Sequence, residues 1–77
     1  MTTNLEQLPP GRTAVVVGFS GGRGIMRKLD AMGLRPGKSV RKLSTQMMAG
    51  PVTVLIDNRQ VAMGRGIARR VQVETQD

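Results

Sequence analysis

The chain has 77 residues, enough for one small domain with a thin core and little room for an internal active site. It contains no cysteine and no histidine, which excludes disulfides, zinc ribbons and thiol chemistry. Twelve Lys and Arg against five Asp and Glu give a net charge of +7, which predicts affinity for acidic partners such as nucleic acid, an anionic membrane or an acidic protein face.

The N-terminal part of the sequence predicts a lead-in followed by one strand. Residues 1–7 are mostly polar and are expected to form a flexible lead-in, and Leu5 and Leu8 are the expected apolar anchors of residues 1–11. Residues 9–11, Pro-Pro-Gly, form a turn. Residues 12–18, RTAVVVG, are rich in β-branched side chains and stop at a glycine, which is typical of a short buried strand.

A helix of about three turns is predicted after this strand. Ile25, Leu29 and Met32 recur at i, i+4 and i+7 and form one apolar stripe. Ser20 is a candidate N-cap. Gly33 can adopt the left-handed conformation that follows the last turn of many helices, so we place the C-terminal end of the helix there.

The second half of the chain predicts three strands and a single helical turn before the last strand. Residues 38–46 have mixed periodicity, which indicates a strand with a bulge. Residues 51–57 alternate cleanly and form a hairpin with residues 61–63. Residues 64–70, GRGIARR, suit one tight helical turn, and residues 70–74 close the sequence as a strand with two valines on one face.

Together these elements predict an all-β fold with one inserted helix. We expect one domain over residues 1–77, in which residues 75–77 form a flexible tail. Closing short strands into a barrel hides their edges, which is economical in so small a chain. The expected architecture is therefore a small five-stranded barrel with a helix after the first strand.

Three segments of the sequence resemble the FeoA family. The most specific is KLDAMGLRPGKSV at residues 28–40, which is similar to the family's helix end, glycine cap and Pro-Gly turn. AGPV at residues 49–52 stands where the family has Gly-Gly-Pro-Val, so Ala49 departs from the pattern, and IARRVQV at residues 67–73 is also similar. The resemblance covers residues 5–74 and implies an SH3-like barrel that carries an extra helix.

The resemblance also implies a role in bacterial ferrous-iron uptake. FeoA proteins are accessory to FeoB, the membrane transporter of ferrous iron, which has a cytoplasmic GTPase domain. The resemblance thus implies a regulatory adaptor that acts by protein contacts, in the cytoplasm and at the inner face of the membrane when bound to the transporter. No secretory signal is predicted, and the longest apolar run, residues 14–17, is too short to span a bilayer, as expected of a soluble cytoplasmic protein.

The glycine-rich stretch GFSGGRGIMRKL, residues 18–29, does not match a nucleotide-binding loop. A dinucleotide fingerprint needs a third glycine where Arg27 stands. Gly37, followed by Lys and Ser, is not a P-loop, because the position five residues earlier is Met32. Two interpretations remain. Either the glycines only turn a strand into a helix, or the stretch binds an acidic partner.

Arg23 and Arg27 are the basis of the second interpretation, which is binding of an acidic partner. They share the helix face opposite the apolar stripe, and Arg27 has Asp30 as a candidate ion-pair partner at i+3. With Lys28 they occupy the first half of the predicted helix, where the macrodipole disfavours cations. Docking of an anionic group or an acidic protein surface at this point would explain the charge pattern.

Two adjacent methionines, Met47 and Met48, extend this candidate site. One of them is expected to cover an end of the barrel, and the other to be exposed. Methionine adapts well to binding surfaces, and Met26 lies on the flank of the helix stripe. We therefore predict an apolar contact site ringed by arginine, which would serve a partner or self-association. The predicted partner-binding residues are Arg23, Met26, Arg27, Met47 and Met48.

Metal binding, cofactor binding and catalysis are not predicted. The chain offers no imidazole or thiol ligand, and its five carboxylates are scattered. Its serines have no evident general base.

Nucleic-acid binding by a basic small barrel is the alternative function. Six cations outside the helix are candidate phosphate contacts: Lys38, Arg41, Lys42, Arg65, Arg69 and Arg70. Single-strand binders stack bases on aromatic side chains, however, and Phe19 is the sole aromatic residue. The adaptor interpretation is therefore preferred.

Overall fold

Six strands form one antiparallel sheet in the order β1-β6-β2-β3-β4-β5. The computed structural model describes residues 1–45 and 50–75. Its strands are β1 (Thr2–Asn4), β2 (Thr13–Phe19), β3 (Ser39–Thr45), β4 (Val52–Ile56), β5 (Arg59–Met63) and β6 (Val71–Glu74).

Two helices complete the fold, α1 (Arg23–Ala31) between β2 and β3, and α2 (Arg65–Arg69) between β5 and β6. The predicted apolar stripe of α1 is confirmed, because Leu29 is fully buried while Ile25 and Met32 pack against the core. Neither helix, nor any other helix in the described residues, is long and apolar enough to cross a membrane.

The two ends of α1 differ in how well the sequence predicts them. Gly33 follows the helix with φ +87°, as predicted, and its amide donates to the Asp30 carbonyl at 2.9 Å. The amide of Leu34 donates to the Leu29 carbonyl at 2.9 Å, which completes a Schellman motif. The prediction of a Ser20 cap is wrong. The N-cap is Gly22, in extended conformation and without a side-chain hydrogen bond.

The strands from β3 onward follow the predicted pattern, except that β5 begins at Arg59, two residues before the predicted start. The pairing of β3 with β4 shifts register between Lys42 and Ser44, which confirms the bulge. Along β4 the valines and the isoleucine are buried and the residues between them are half-buried. Asp57 and Asn58, with φ of 51° and 64°, form the two-residue turn to β5, and positive φ at both positions is typical of a type I′ hairpin.

The prediction of five strands is wrong, because the first residues of the chain form a sixth. The predicted lead-in over residues 1–7 contains β1, which pairs with β6 in the register Thr2↔Glu74 and Asn4↔Gln72. The helix therefore follows the second strand. A partner strand about seventy residues away leaves no trace in the local pattern of a short polar segment. Of the predicted tail, Thr75 is buried, and residues 76 and 77 lie outside the described part.

The hydrophobic core draws on every part of the chain. Leu5 and Leu8 of the N-terminal segment are fully buried, as their role as anchors requires. The amide of Leu5 donates to the Val71 carbonyl at 3.1 Å, so the segment is also fixed through its backbone. The other fully buried or nearly buried apolar residues are Ala14, Val16, Leu29, Leu34, Val40, Val52, Val54, Ile56, Met63, Ala68, Val71 and Val73.

Candidate partner-binding face

The exposed side of α1 carries an apolar side chain between two arginines. Met26 is 51% exposed, which is unusual for a large hydrophobic residue in a chain with so small a core. Arg23 and Arg27 lie three residues before it and one residue after it, and both are exposed. In the described part of the chain neither arginine forms a salt bridge. We call these three residues the α1 face.

A shallow groove of about 400 Å³ adjoins the α1 face. Its floor is mainly apolar, and cationic side chains flank it, which is the arrangement that an acidic partner with an apolar anchor would fit. The groove combines the end of β2, the middle of α1 and the turn before β3. It is lined by Phe19, Met26, Arg27, Asp30, Arg35 and Pro36.

The ion pair on this groove differs from the predicted one. Asp30 does not bond Arg27 at i+3, and its Oδ1 accepts from Arg35 Nε at 2.7 Å. Arg35 lies beyond the Gly33 turn, which brings its side chain back over the last turn of α1. Arg27 is thus left without a carboxylate partner among the described residues, and it lines the groove.

The N-terminal end of α1 is polar and uncapped. Its first turn holds no acidic side chain, whereas Lys28 lies in the last turn, where a cation suits the macrodipole. The expectation that all three cations oppose the dipole is therefore wrong for Lys28 and holds for Arg23. Nearby, Arg70 Nη1 would lie 3.0 Å from a Cβ at Gly21, whose φ is +120°, so a side chain there would be strained.

The structure brings together part of the predicted site. Met26 and Arg27 line the groove, and Arg23 lies one turn before Arg27 on the same helix. Met47 and Met48 lie outside the described residues. Sequence reasoning missed Phe19, Arg35 and Pro36 as lining residues. Phe19 is the sole aromatic residue of the chain and directly follows the predicted strand over residues 12–18. That position is the sequence signal that could have identified it.

Much of the remaining charge is used to hold the fold together. The Glu6 carboxylate, only 12% exposed, accepts from Arg69 Nε at 3.1 Å and pairs with Arg65 Nη2 at 3.1 Å. The hydrogen bond from Arg69, with that from Arg65, lowers the pKa of Glu6 despite its partial burial, and Glu6 in turn raises the pKa of Arg69. These bonds fasten the N-terminal segment to α2.

Lys42 also holds the N-terminal segment in place. We call its contact with Glu6, together with those of Arg65 and Arg69, the anchor. Its side chain is 1% exposed, and its Nζ donates to the Glu6 carbonyl oxygen at 2.7 Å. Burial lowers the pKa of Lys42, and the nearby Glu6 charge partly offsets that effect.

The anchor and one further ion pair engage side chains that nucleic-acid binding would require. Of its candidate phosphate contacts, Arg65 and Arg69 bind Glu6, Lys42 is buried, and Lys38 pairs with Asp57 Oδ2 at 2.7 Å. This interaction lowers the pKa of Asp57. A nucleic acid would have to compete for these side chains, so the structure does not favour that function. The described residues also contain no group of three His, Cys, Asp or Glu side chains that could hold a metal.

Known proteins resemble this chain in both sequence and structure. The FeoA domain model matches residues 3–75. A Fe(2+) transport protein A homologue from Methanocaldococcus jannaschii is 31% identical over 64 residues, which are 83% of this chain and 76% of that protein.

Solved structures share the whole fold. The crystal structure of an iron uptake regulatory protein, FeoA, is 33% identical, with a TM-score of 0.90 over 99% of both chains. The solution structure of a FeoA protein from Chlorobium tepidum has a TM-score of 0.86 at 23% identity, over 97% of this chain and 71% of that one. The six-stranded sheet with its two short helices is thus the SH3-like fold that the resemblance predicts, and the chain belongs to the FeoA domain family, a family of Fe(2+) transport.

Proposed function

We propose that this chain is a regulatory adaptor of ferrous-iron uptake. It binds the cytoplasmic region of a FeoB-type transporter, which includes the GTPase domain, and it adjusts the assembly or gating of that transporter. The observation that carries the proposal is the α1 face, where Met26 is half-exposed between two arginines that have no carboxylate partner in the described chain. The proposed role is binding and not catalysis. It places the protein in the cytoplasm, at the inner face of the membrane when bound.

The relatives support the transport part of this proposal. The M. jannaschii relative is named for Fe(2+) transport, and the structure that is 33% identical is an iron uptake regulatory protein. The choice of FeoB as partner rests on the resemblance of the sequence to accessory proteins of that transporter.

The chemistry of the α1 face supports an acidic protein partner. The apolar groove beside Met26 offers a place for one hydrophobic side chain, whose burial would supply affinity. Arg23 and Arg27 would pair with carboxylates at the rim and speed association with an oppositely charged surface. We include Met47 and Met48 in the proposed contact surface on the grounds of their residue type and adjacency alone.

The first test is an NMR titration of the labelled protein with the GTPase domain of its cognate transporter in moderate salt. Saturable shifts at the α1 face and along the groove are the expected result. Added salt should mainly slow association, because an apolar contact at the centre is less sensitive to screening than phosphate binding. Shifts that depend on protein concentration without the partner would instead indicate self-association through this surface.

A charge-reversal variant tests the residues. Arg23→Glu with Arg27→Glu should weaken binding by at least about tenfold, since two attractive contacts become repulsive, while the fold is kept. Arg41→Glu, which reverses a single charge elsewhere on the chain, is the control, because Arg41 is exposed on β3 and lines a different groove from the α1 face. Equal affinity of the double variant and the control would refute the role of the α1 face.

A further inference from the structure

The β5 strand is an open edge of the sheet. It is the last strand in the sheet order, and among residues 1–45 and 50–75 it pairs with β4 alone. Apart from that ladder, no backbone group of residues 59–63 has a backbone hydrogen-bond partner within residues 1–45 and 50–75. The opposite edge, β1, is only three residues long, and the chain folds back on it through the Leu8 amide, which donates to the Asn4 carbonyl at 2.9 Å.

The hairpin geometry identifies which groups point outward. In a two-residue hairpin the residues that flank the turn form a hydrogen-bonded pair, here Ile56 and Arg59, and hydrogen-bonded pairs then alternate along the ladder. Gln60 and Ala62 therefore occupy the non-bonded positions opposite β4. Their N–H and C=O groups point away from the sheet, and both side chains are exposed.

Within the part of the chain that the structure describes, β5 shows few of the usual protections against strand pairing. Natural edge strands carry a proline, a central lysine or a bulge, or are covered by another element. β5 has neither proline nor lysine, and its register with β4 is regular over all five residues. The one charged side chain of β5 is Arg59, at its first position.

The positive net charge of the chain favours an acidic binding partner at this edge. A second copy of the chain would bring another net charge of +7 to the same place, which opposes pairing between copies. Arg59 is exposed, donates to the Met32 carbonyl at 3.1 Å and has no salt bridge to a carboxylate in the described part of the chain. It is available for a carboxylate on an added strand.

We propose that the β5 edge is a strand-addition site for an extended acidic peptide segment. The backbone groups of Gln60 and Ala62 bind the main chain of the segment, and Arg59 pairs with one of its carboxylates. Main-chain hydrogen bonds supply the affinity in this mode of recognition, and side chains supply the selectivity. The site is separate from the α1 face and does not depend on the identity of the transporter partner.

The test uses two synthetic probes with the full chain: a capped peptide of alternating Glu and Val, and the same peptide with Lys in place of Glu. The Glu peptide should shift the amide resonances of Gln60 and Ala62 and slow their hydrogen exchange by about tenfold or more, because these amides gain hydrogen bonds. The Lys peptide should do neither. Failure of the Glu peptide to bind, or shifts confined to other residues, would overturn the proposal.

Two variants at Ala62 separate the contribution of the backbone N–H to binding from that of the side chain. Ala62→Pro removes the outward N–H and leaves the bonds to β4 in place, so binding of the Glu peptide should fall by about tenfold. Ala62→Thr keeps the N–H and should bind as the wild type does. Equal binding by both variants would exclude strand addition. If Ala62→Pro does not fold, the exchange rates of the wild-type amides decide the question. Shifts of the same amides with protein concentration alone would mean that a second copy occupies the edge, which also overturns the proposal.

Discussion

At the scale of single residues, Lys42 shows how a charged side chain becomes part of a small core. Its stem lies among buried residues of the barrel, and its ammonium group reaches the Glu6 carbonyl. This hydrogen bond joins β3 to the N-terminal segment at 2.7 Å. Because burial lowers the pKa of Lys42, its charged form is less favoured in the folded state than in the unfolded chain.

Truncation of Lys42 should nevertheless destabilise the protein, because the lost packing of its buried stem outweighs the relief from burying its charge. We expect Lys42→Ala to lower the free energy of unfolding by about 2–4 kcal/mol, because it leaves a cavity and removes the hydrogen bond to the Glu6 carbonyl. Urea denaturation followed by circular dichroism measures this difference. Lys28→Ala, at an exposed position of α1, should change stability by less than about 0.5 kcal/mol. Similar stabilities of the two variants would mean that the cost of burying the ammonium group offsets its packing.

At the scale of elements, local sequence patterns explain which of the predicted helix and strand boundaries are confirmed. The C-terminal end of α1 is predictable because Gly33 and Leu34 carry the Schellman motif within a few residues of sequence. The β4 strand is predictable because its alternation is regular. β1 is not, because its pairing with β6 depends on contacts between the two ends of the chain.

A pair of glycine variants tests the helix end. Gly33→Ala should cost about 1–2 kcal/mol of stability, because φ is +87° and the new Cβ would lie 3.0 Å from Arg59 Nη2. Gly24→Ala, inside α1 with nothing within 4 Å of the new Cβ, should instead stabilise the protein by about 0.5–1 kcal/mol. Thermal unfolding distinguishes the two signs. Unchanged or increased stability of Gly33→Ala would contradict the assignment of Gly33 as the conformational requirement.

At the scale of the whole molecule, the candidate groove is formed by elements that the sequence does not place beside one another. Met26 and Arg27 are predictable because they lie on one helix. Phe19, Arg35 and Pro36 come from the end of β2 and from the turn before β3, so only the folded chain brings them to the same groove. Sequence reasoning could thus predict the residue types of the site and one of its three parts.

The last prediction concerns carboxylates that hold distant segments together. Glu6 binds α2, Asp57 binds Lys38, and Glu74 binds the N-terminal amine and the Thr2 hydroxyl. Each of these contacts lowers the pKa of its carboxyl group, below ordinary values of 4.5 for Glu and 3.8 for Asp. A lowered pKa in the folded state means that the unfolded chain binds more protons as the solution becomes acidic.

The contribution of these carboxylates to stability is therefore complete above the unfolded pKa values and is lost as pH falls through the lowered ones. Urea denaturation at constant ionic strength, from neutral pH to about pH 3, should show a falling free energy of unfolding. Glu6→Gln should be less stable than the wild type at neutral pH, because the contacts with Arg65 and Arg69 lose their charge. It should also depend less on pH, so the two stability curves should converge in acid. Parallel curves would show that the pairing of Glu6 with α2 contributes nothing to the acid sensitivity of the fold.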